Sequence, residues 1–436
     1  MSGDEPFDRT LLTPGLQELD LGELATRFGT PLFVYDEDEL RRRCREYVAR
    51  FGAEHVAYAG KAFLCTAMVE LVRDEGLHLD VATGGELYAA RRAGMPGDRI
   101  IMHGNNKSDA ELADALEAGV GRIVADSHDE LDRLERLAGE RGVRPRVLVR
   151  VTPGVEAHTH EYIETGTEAS KFGFTVTDGI ATAAAIRVAR SGSLELAGLH
   201  CHIGSQIYVV GSWARAAAIV ARIAREVEDA VGVVVEEVNL GGGLGVRYLV
   251  DDPEVSIAEY AAVVHGAFDE AARVAGLSRV PALMVEPGRS IAAPAAVTVY
   301  RVGTVKQIPG IGTYVAVDGG MSDNPRPVLY GAGYEAYLPG RIAEPRPLES
   351  WVVGKHCEQG DVIVAGARLP AGVAVGDLLV TPCTGAYGYS MASNYNKVPR
   401  PAVVFVRDGE ARLVVRRETY DDLLRLDEPG PPPSDG

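Results

Sequence analysis

Val234-Val235-Glu236-Glu237-Val238-Asn239-Leu240-Gly241-Gly242-Gly243 is an apolar strand that runs into three consecutive glycines. Backbone without side chains approaches a phosphate closely and points its N–H groups at it. A triple glycine alone reads equally as a tight turn. The run is not GxGxxG and no helix follows closely, which disfavours a dinucleotide. What gives the stretch weight is its place in a series.

Strand-like runs lie near His55–Ala59, Leu77–Val81, Arg99–Met102, Gly121–Val124, Arg146–Val151, Leu196–His200, Val234–Leu240 and Leu283–Glu286, with helix-like runs between most of them. Trp213, Ala216, Val220, Ile223 and Val227 recur at helical spacing. Ser108, with Glu111 three residues on, is a capping-box signature. Eight such strands predict a closed parallel (β/α)8 barrel, about 250 residues in the typical case. An open doubly wound sheet is the alternative. Polar clusters favour the barrel. Gly60-Lys61-Ala62 closes the first strand, His200-Cys201-His202-Ile203-Gly204-Ser205 the sixth, Gly241–Gly245 the seventh and Glu286-Pro287-Gly288-Arg289 the eighth. A barrel gathers strand ends at one mouth, and often holds a phosphate after the seventh strand.

Past residue 295 the pattern changes to short β segments separated by Gly and Pro: Val297–Val305, Tyr314–Val317, Val362–Ile363, Leu378–Thr381, Ala402–Val406 and Leu413–Arg416. They predict a mostly antiparallel β domain, barrel- or sandwich-like, to which Pro31-Leu32-Phe33-Val34-Tyr35 could add a strand. The expected division is a barrel over 37–294, a β domain over 1–36 and 295–425, and a disordered tail over 426–436.

The chain has 436 residues, 46% hydrophobic and 24% charged, which suits a soluble protein of two or three domains. A net charge of -18 argues against nucleic acid and anionic membrane as partners. No signal peptide, transit peptide or membrane-length apolar run is read. Five scattered cysteines, without a CxxC pair, suggest neither zinc nor a disulfide framework and fit a reducing cytoplasm.

Lys61 reads either as a solvated surface lysine or as an amine that forms a Schiff base with an aldehyde cofactor. His202 is a packing residue or a flat ring against a pyridine. Ser205 is a turn residue or a phosphate donor. Glu286 and Arg289 form a structural ion pair, or Glu286 keeps a pyridine nitrogen protonated while Arg289 neutralises an anion. Taken together, an amine, an imidazole, a glycine loop and a Glu/Arg pair at strand ends describe a pyridoxal phosphate pocket. In the β domain, Asp323–Tyr330, His356–Asp361 and Gly385-Ala386-Tyr387 stand out, each also readable as an ordinary turn. Cys357 taken alone is equally an inert thiol.

These segments together resemble the diaminopimelate decarboxylases, within the fold-type III pyridoxal phosphate decarboxylases, over roughly residues 20 to 425. The resemblance is carried by Tyr58-Ala59-Gly60-Lys61-Ala62, Leu79-Asp80-Val81 with Gly84-Gly85-Glu86-Leu87, His103-Gly104-Asn105-Asn106-Lys107, Lys171-Phe172-Gly173, His200–Gln206, Gly241–Gly245, Glu286–Arg289, Asn324–Tyr330, Cys357-Glu358 and Ala386-Tyr387. It implies a (β/α)8 barrel plus a β domain, a head-to-tail homodimer, and conversion of meso-diaminopimelate at its D-centre to L-lysine and carbon dioxide, the last step of lysine biosynthesis.

It also implies roles. Lys61 holds pyridoxal 5'-phosphate as a Schiff base, His202 stacks on its ring and Glu286 pairs with its nitrogen. Ser205, Gly241, Gly242, Gly243, the turn Glu286-Pro287-Gly288-Arg289 and Tyr387 hold the phosphate side. Arg289, Arg326, Tyr330, Glu358 and Tyr387 face substrate. Cys357, delivered with Glu358 by the partner subunit, protonates the carbanion; no metal is implied. The sequence departs from the family at Gln359, where Ser is usual, and at Phe63, where Asn is commoner. Charge supports the substrate: diaminopimelate carries an amino acid at each end, and Arg326 with Glu358 supplies a cation and an anion for the distal one. The polar segment His158–Phe174 is read as a lid.

Overall fold

A computed structural model describes residues 5–154, 170–209 and 211–428. Of the expected lid, residues 158–169 lie outside the described residues, as do 429–436 of the expected tail and residues 1–4. The chain divides into two compact units, Glu37–Ala295 and Met1–Asp36 with Ala296–Gly436.

In Glu37–Ala295, eight strands pair parallel in chain order: Ala57–Ala59, His78–Val81, Ile100–Met102, Arg122–Ala125, Arg146–Thr152, Glu195–Cys201, Glu237–Asn239 and Ala282–Met284. The first and last meet as well. Val56 bridges Val285 in parallel, and the Ala57 and Ala59 N–H groups donate to Val285 O and Pro287 O, each at 3.0 Å. The sheet therefore closes, and the open doubly wound alternative is excluded. Ala57, Ile101, Val124, Leu148, Ala197 and Met284, one from each of six strands, form a buried apolar cluster. Such inward layers make a barrel interior a packed core rather than a pore.

The intervening helices start where side chains satisfy their first N–H groups. Thr83, Ser108, Ser127 and Ser256 each cap a helix, and Ser108–Glu111 and Ser256–Glu259 form full capping boxes. Gly211–Val231 buries Trp213, Ala216, Val220, Ile223 and Val227, the stripe its sequence spacing predicts. At the strands' N-terminal ends, Arg122 donates to both Glu237 oxygens at 2.8 and 2.7 Å, tying strand four to strand seven. The seventh strand, Glu237–Asn239, is shorter than its apolar run at both ends, and at its C-terminal end the Asn239 side chain accepts the Gly241 N–H at 2.8 Å and turns the chain.

The second unit is one sheet in the order Val362–Leu369, Leu348–Val353, Gly312–Val317, Ala296–Ile308, Leu32–Asp36, Ala402–Arg407, Glu410–Val415, with Leu378–Pro382 also on Ala296–Ile308. Most pairs are antiparallel. Leu32–Asp36 runs parallel to Ala402–Arg407, and Gly312–Val317 parallel to Leu348–Val353. Leu32–Asp36 is buried at every residue, as its unbroken apolar reading requires. Leu348–Val353 has no counterpart in the sequence reading. Its buried positions include Ser350, which breaks the apolar alternation and is satisfied by donating to Ala367 O at 3.2 Å.

Candidate active site

The barrel places its polar clusters at the C-terminal ends of the strands. Lys61 lies in the 3-10 turn Gly60–Ala62, directly after the first strand. Tyr58 Oη donates to Phe63 O at 2.8 Å and fixes that turn from behind. Gly60 permits it, since a Cβ there would fall 2.8 Å from Asp80 O. Lys61 itself is exposed.

Glu286 is the centre of the buried charge. One of its oxygens meets His103 Nε2 at 2.9 Å and accepts from Asn239 Nδ2 at 2.7 Å. The other meets His200 Nε2 at 3.1 Å. Burial presses this carboxyl toward protonation, but His103 and His200 outweigh it and hold it well below the usual carboxylate range. Burial also lowers His200 to about 4, against the pull of Glu286. For His103 burial disfavours the imidazolium, yet Asp80 and Glu286 outweigh it and raise the ring. These shifts favour an anionic Glu286 and a neutral His200, with His103 the more readily protonated of the two rings. His103, His200 and Glu286 place donor atoms within 4.8 Å of one another, a set of metal-binding type. Here the Nε2 atoms of both rings face the Glu286 oxygens, at 2.9 and 3.1 Å.

His202 is held by the glycine loop: Gly242 N–H donates to its Nδ1 at 3.3 Å. Burial pushes this imidazole well below its usual range, and the Lys61 and Arg150 charges push the same way, so His202 presents a neutral ring. Gly242 has no alternative, because a Cβ would stand 2.2 Å from Glu286 O. Gly243, at φ 115, lies where a Cβ would meet Gly204 O at 2.5 Å. The loops after strands six and seven are knit by Ile207 N–H to Gly243 O at 2.9 Å and Gly245 N–H to Ile207 O at 3.0 Å. Arg289, buried, donates to Ser205 Oγ from Nε at 3.0 Å and Nη2 at 2.9 Å, and to Tyr248 Oη at 2.8 Å. Gly288 lets this turn approach the Lys61 turn, since a Cβ would meet those of Ala59 and Ala62 at 2.9 and 3.0 Å. Lys61, His202, Ser205, Gly241–Gly243 and Glu286–Arg289 thus follow strands that close side by side.

The second unit carries the remaining candidates. Arg326 opens the short helix Arg326–Tyr330, is buried, and donates to Tyr334 Oη. Tyr330 Oη contacts Met391 Sδ at 4.0 Å. Cys357 and Glu358 are exposed on a turn. Tyr387 is half-buried after Leu378–Pro382 with φ 60.

Comparison with known proteins now decides the family. The sequence model of the family described as "Pyridoxal-dependent decarboxylase, pyridoxal binding domain" matches residues 37–293. A diaminopimelate decarboxylase of Mycobacterium tuberculosis is 50% identical over 418 residues, covering 94% of this chain and 93% of its own length. The chain belongs to the diaminopimelate decarboxylase family. A diaminopimelate decarboxylase of Bacillus subtilis is 49% identical, covering 93% of each protein. The crystal structure of a family member from M. jannaschii, in complex with L-lysine, superposes with a TM-score of 0.88 at 32% identity, over 99% of both chains.

Pyridoxal phosphate is the cofactor of this family, and the barrel residues fit it. The glycine loop leaves space a Cβ would fill. Arg289 and Ser205 form a cation–hydroxyl pair suited to a phosphate. His202 offers a neutral ring and Glu286 a committed anion. Sequence reasoning assigned no role to His103, His200, Asn239 or Tyr248. Asn239 ends its strand, His200 is next to last in its own, and His103 follows one directly; a polar group at a buried strand end is a signal open to a reader. Tyr248 lies past the glycine loop without such a marker.

Proposed function

We infer that this chain decarboxylates meso-2,6-diaminopimelate at its D-centre to give L-lysine and carbon dioxide, the last step of lysine biosynthesis. The observation that carries the chemistry is Glu286, a buried carboxylate kept charged by two histidines at the barrel mouth. A fixed anion there would favour a protonated pyridine nitrogen on bound pyridoxal 5'-phosphate. Bound, that cofactor supplies the electron-accepting ring for the broken carbon–carbon bond.

The residues divide the remaining work. Lys61 is the amine that would hold the cofactor. His202 would lie against its ring. Ser205, Gly241, Gly242, Gly243, Pro287, Gly288, Arg289 and Tyr387 hold the phosphate side, with Arg289 and Tyr387 also facing substrate. Arg326, Tyr330 and Glu358 bind the distal amino-acid end. Cys357 Sγ gives its proton to the α-carbon that lost carbon dioxide. The protein acts in the cytoplasm as a homodimer in which Cys357 and Glu358 serve the partner's barrel. Their exposure in the single chain supports that reading. Among the described residues no helix is long and apolar enough to cross a membrane.

Carbon dioxide release from meso-diaminopimelate, L-lysine, L-ornithine and L-arginine tests the assignment. Turnover of the first alone is expected; activity on another with none on diaminopimelate overturns it. Arg326→Ala should raise KM for diaminopimelate by about 10²-fold, as loss of a buried charge-assisted contact does. An unchanged KM removes Arg326 from the site.

A further inference from the structure

The turn carrying Cys357 and Glu358 is exposed, yet its geometry is fixed by a neighbouring turn. Asn396 Oδ1 accepts from the Cys357 backbone N–H and contacts His356 Nδ1, both at 3.2 Å. His356 is buried and anchored on its far side. Its Nε2 meets Ser322 Oγ at 2.8 Å, and its backbone N–H donates to Asp361 Oδ2 at 2.8 Å. Asp361 also accepts the Met321 N–H at 2.6 Å. Asn396 itself stands at φ 53, a left-handed conformation that Asn tolerates better than most residues. One residue earlier, Tyr395 Oη donates to the Glu358 carboxylate, and its ring lies 5.6 Å from that of His356.

Two adjacent residues of the 3-10 turn Tyr395–Lys397 therefore grip two adjacent residues of the other turn, one pair through the backbone and one through side chains. We propose that Asn396 and Tyr395 are separate positioning residues, Asn396 for the Cys357 thiol and Tyr395 for the Glu358 carboxylate. The proposal rests on the roles given above to Cys357 and Glu358. Asn396 fixes the peptide from which the thiol projects, so it controls where the proton donor stands. Tyr395 leaves that peptide alone and limits the rotamers of Glu358, so it controls the fit of the substrate's distal ammonium. His356 serves as the common post.

The test is a kinetic split in the full-length holoenzyme, with melting temperatures alongside. Asn396→Ala should lower kcat about tenfold or more at a KM within about twofold, since small displacements of a reacting group cost that much. Tyr395→Phe should do the reverse, raising KM for diaminopimelate about tenfold by loss of one charge-assisted hydrogen bond. Asn396→Asp keeps the acceptor oxygen and should recover more of kcat than Asn396→Ala. Equal proportional changes in kcat and KM in both variants, or no change in either, overturn the proposal. Cys357→Ala and Glu358→Gln are the controls. If they leave kcat and KM unchanged, the roles of Cys357 and Glu358 fail; if they act and the turn variants do not, only the positioning fails.

Discussion

Glu286 shows how one side chain is committed to a charge state. An isolated buried carboxylate would neutralise itself by taking a proton, because desolvation penalises the anion. Here His103 at 2.9 Å, His200 at 3.1 Å and the Asn239 amide at 2.7 Å offset that penalty. Glu286→Gln keeps the shape and removes the charge. It should retain bound cofactor and lower kcat by about 10²–10³-fold, the usual cost of deleting a preorganised electrostatic partner. Single-turnover measurement on the holoenzyme checks this, and a rate within tenfold of wild type would show that the anion is not required. The identity of Glu286 was visible in the sequence as a carboxylate ending an apolar strand. Its protonation state was not, because that depends on His103, just past the third strand, and His200 of the sixth.

At the scale of elements, the barrel was legible because eight apolar runs alternate with helical stretches and four of them, the first, sixth, seventh and eighth, end in polar or glycine clusters. The seventh run, Val234–Leu240, forms a ladder only over Glu237–Asn239, so an apolar run overstates the length of the strand it marks. Leu348–Val353 was illegible because its inward Ser350 is satisfied by a partner, Ala367, that no local pattern announces. The same limit hid Arg122 and Glu237, which meet across the strands' N-terminal ends at 2.8 and 2.7 Å. Arg122→Ala strands a largely buried carboxylate and should destabilise the fold by about 3–5 kcal/mol. Denaturant unfolding measures it. The double variant with Glu237→Ala should lose less than the sum, and additive losses would mean the two are not coupled.

For the whole molecule, the shared-site reading makes a prediction that single-chain variants cannot. Lys61→Ala and Cys357→Ala should each be inactive as homodimers. Mixed under conditions that exchange subunits, they should regain about a quarter of wild-type activity, because half the dimers are then mixed and each carries one intact site. No recovery, with exchange verified by mass, would place both residues in a site made by one chain.

The central strand Leu32–Asp36, held between Ala296–Ile308 and Ala402–Arg407, has a consequence for synthesis. It leaves the ribosome early, whereas both of its neighbours are translated only after the whole barrel segment. Until then the nascent chain carries a largely apolar ribbon, Leu32–Tyr35, with unmet amides, the kind of edge that invites pairing with other polypeptides. Chaperone shielding of that ribbon during elongation, and rapid aggregation of fragments that stop short of residue 402, follow from where one strand sits in its sheet.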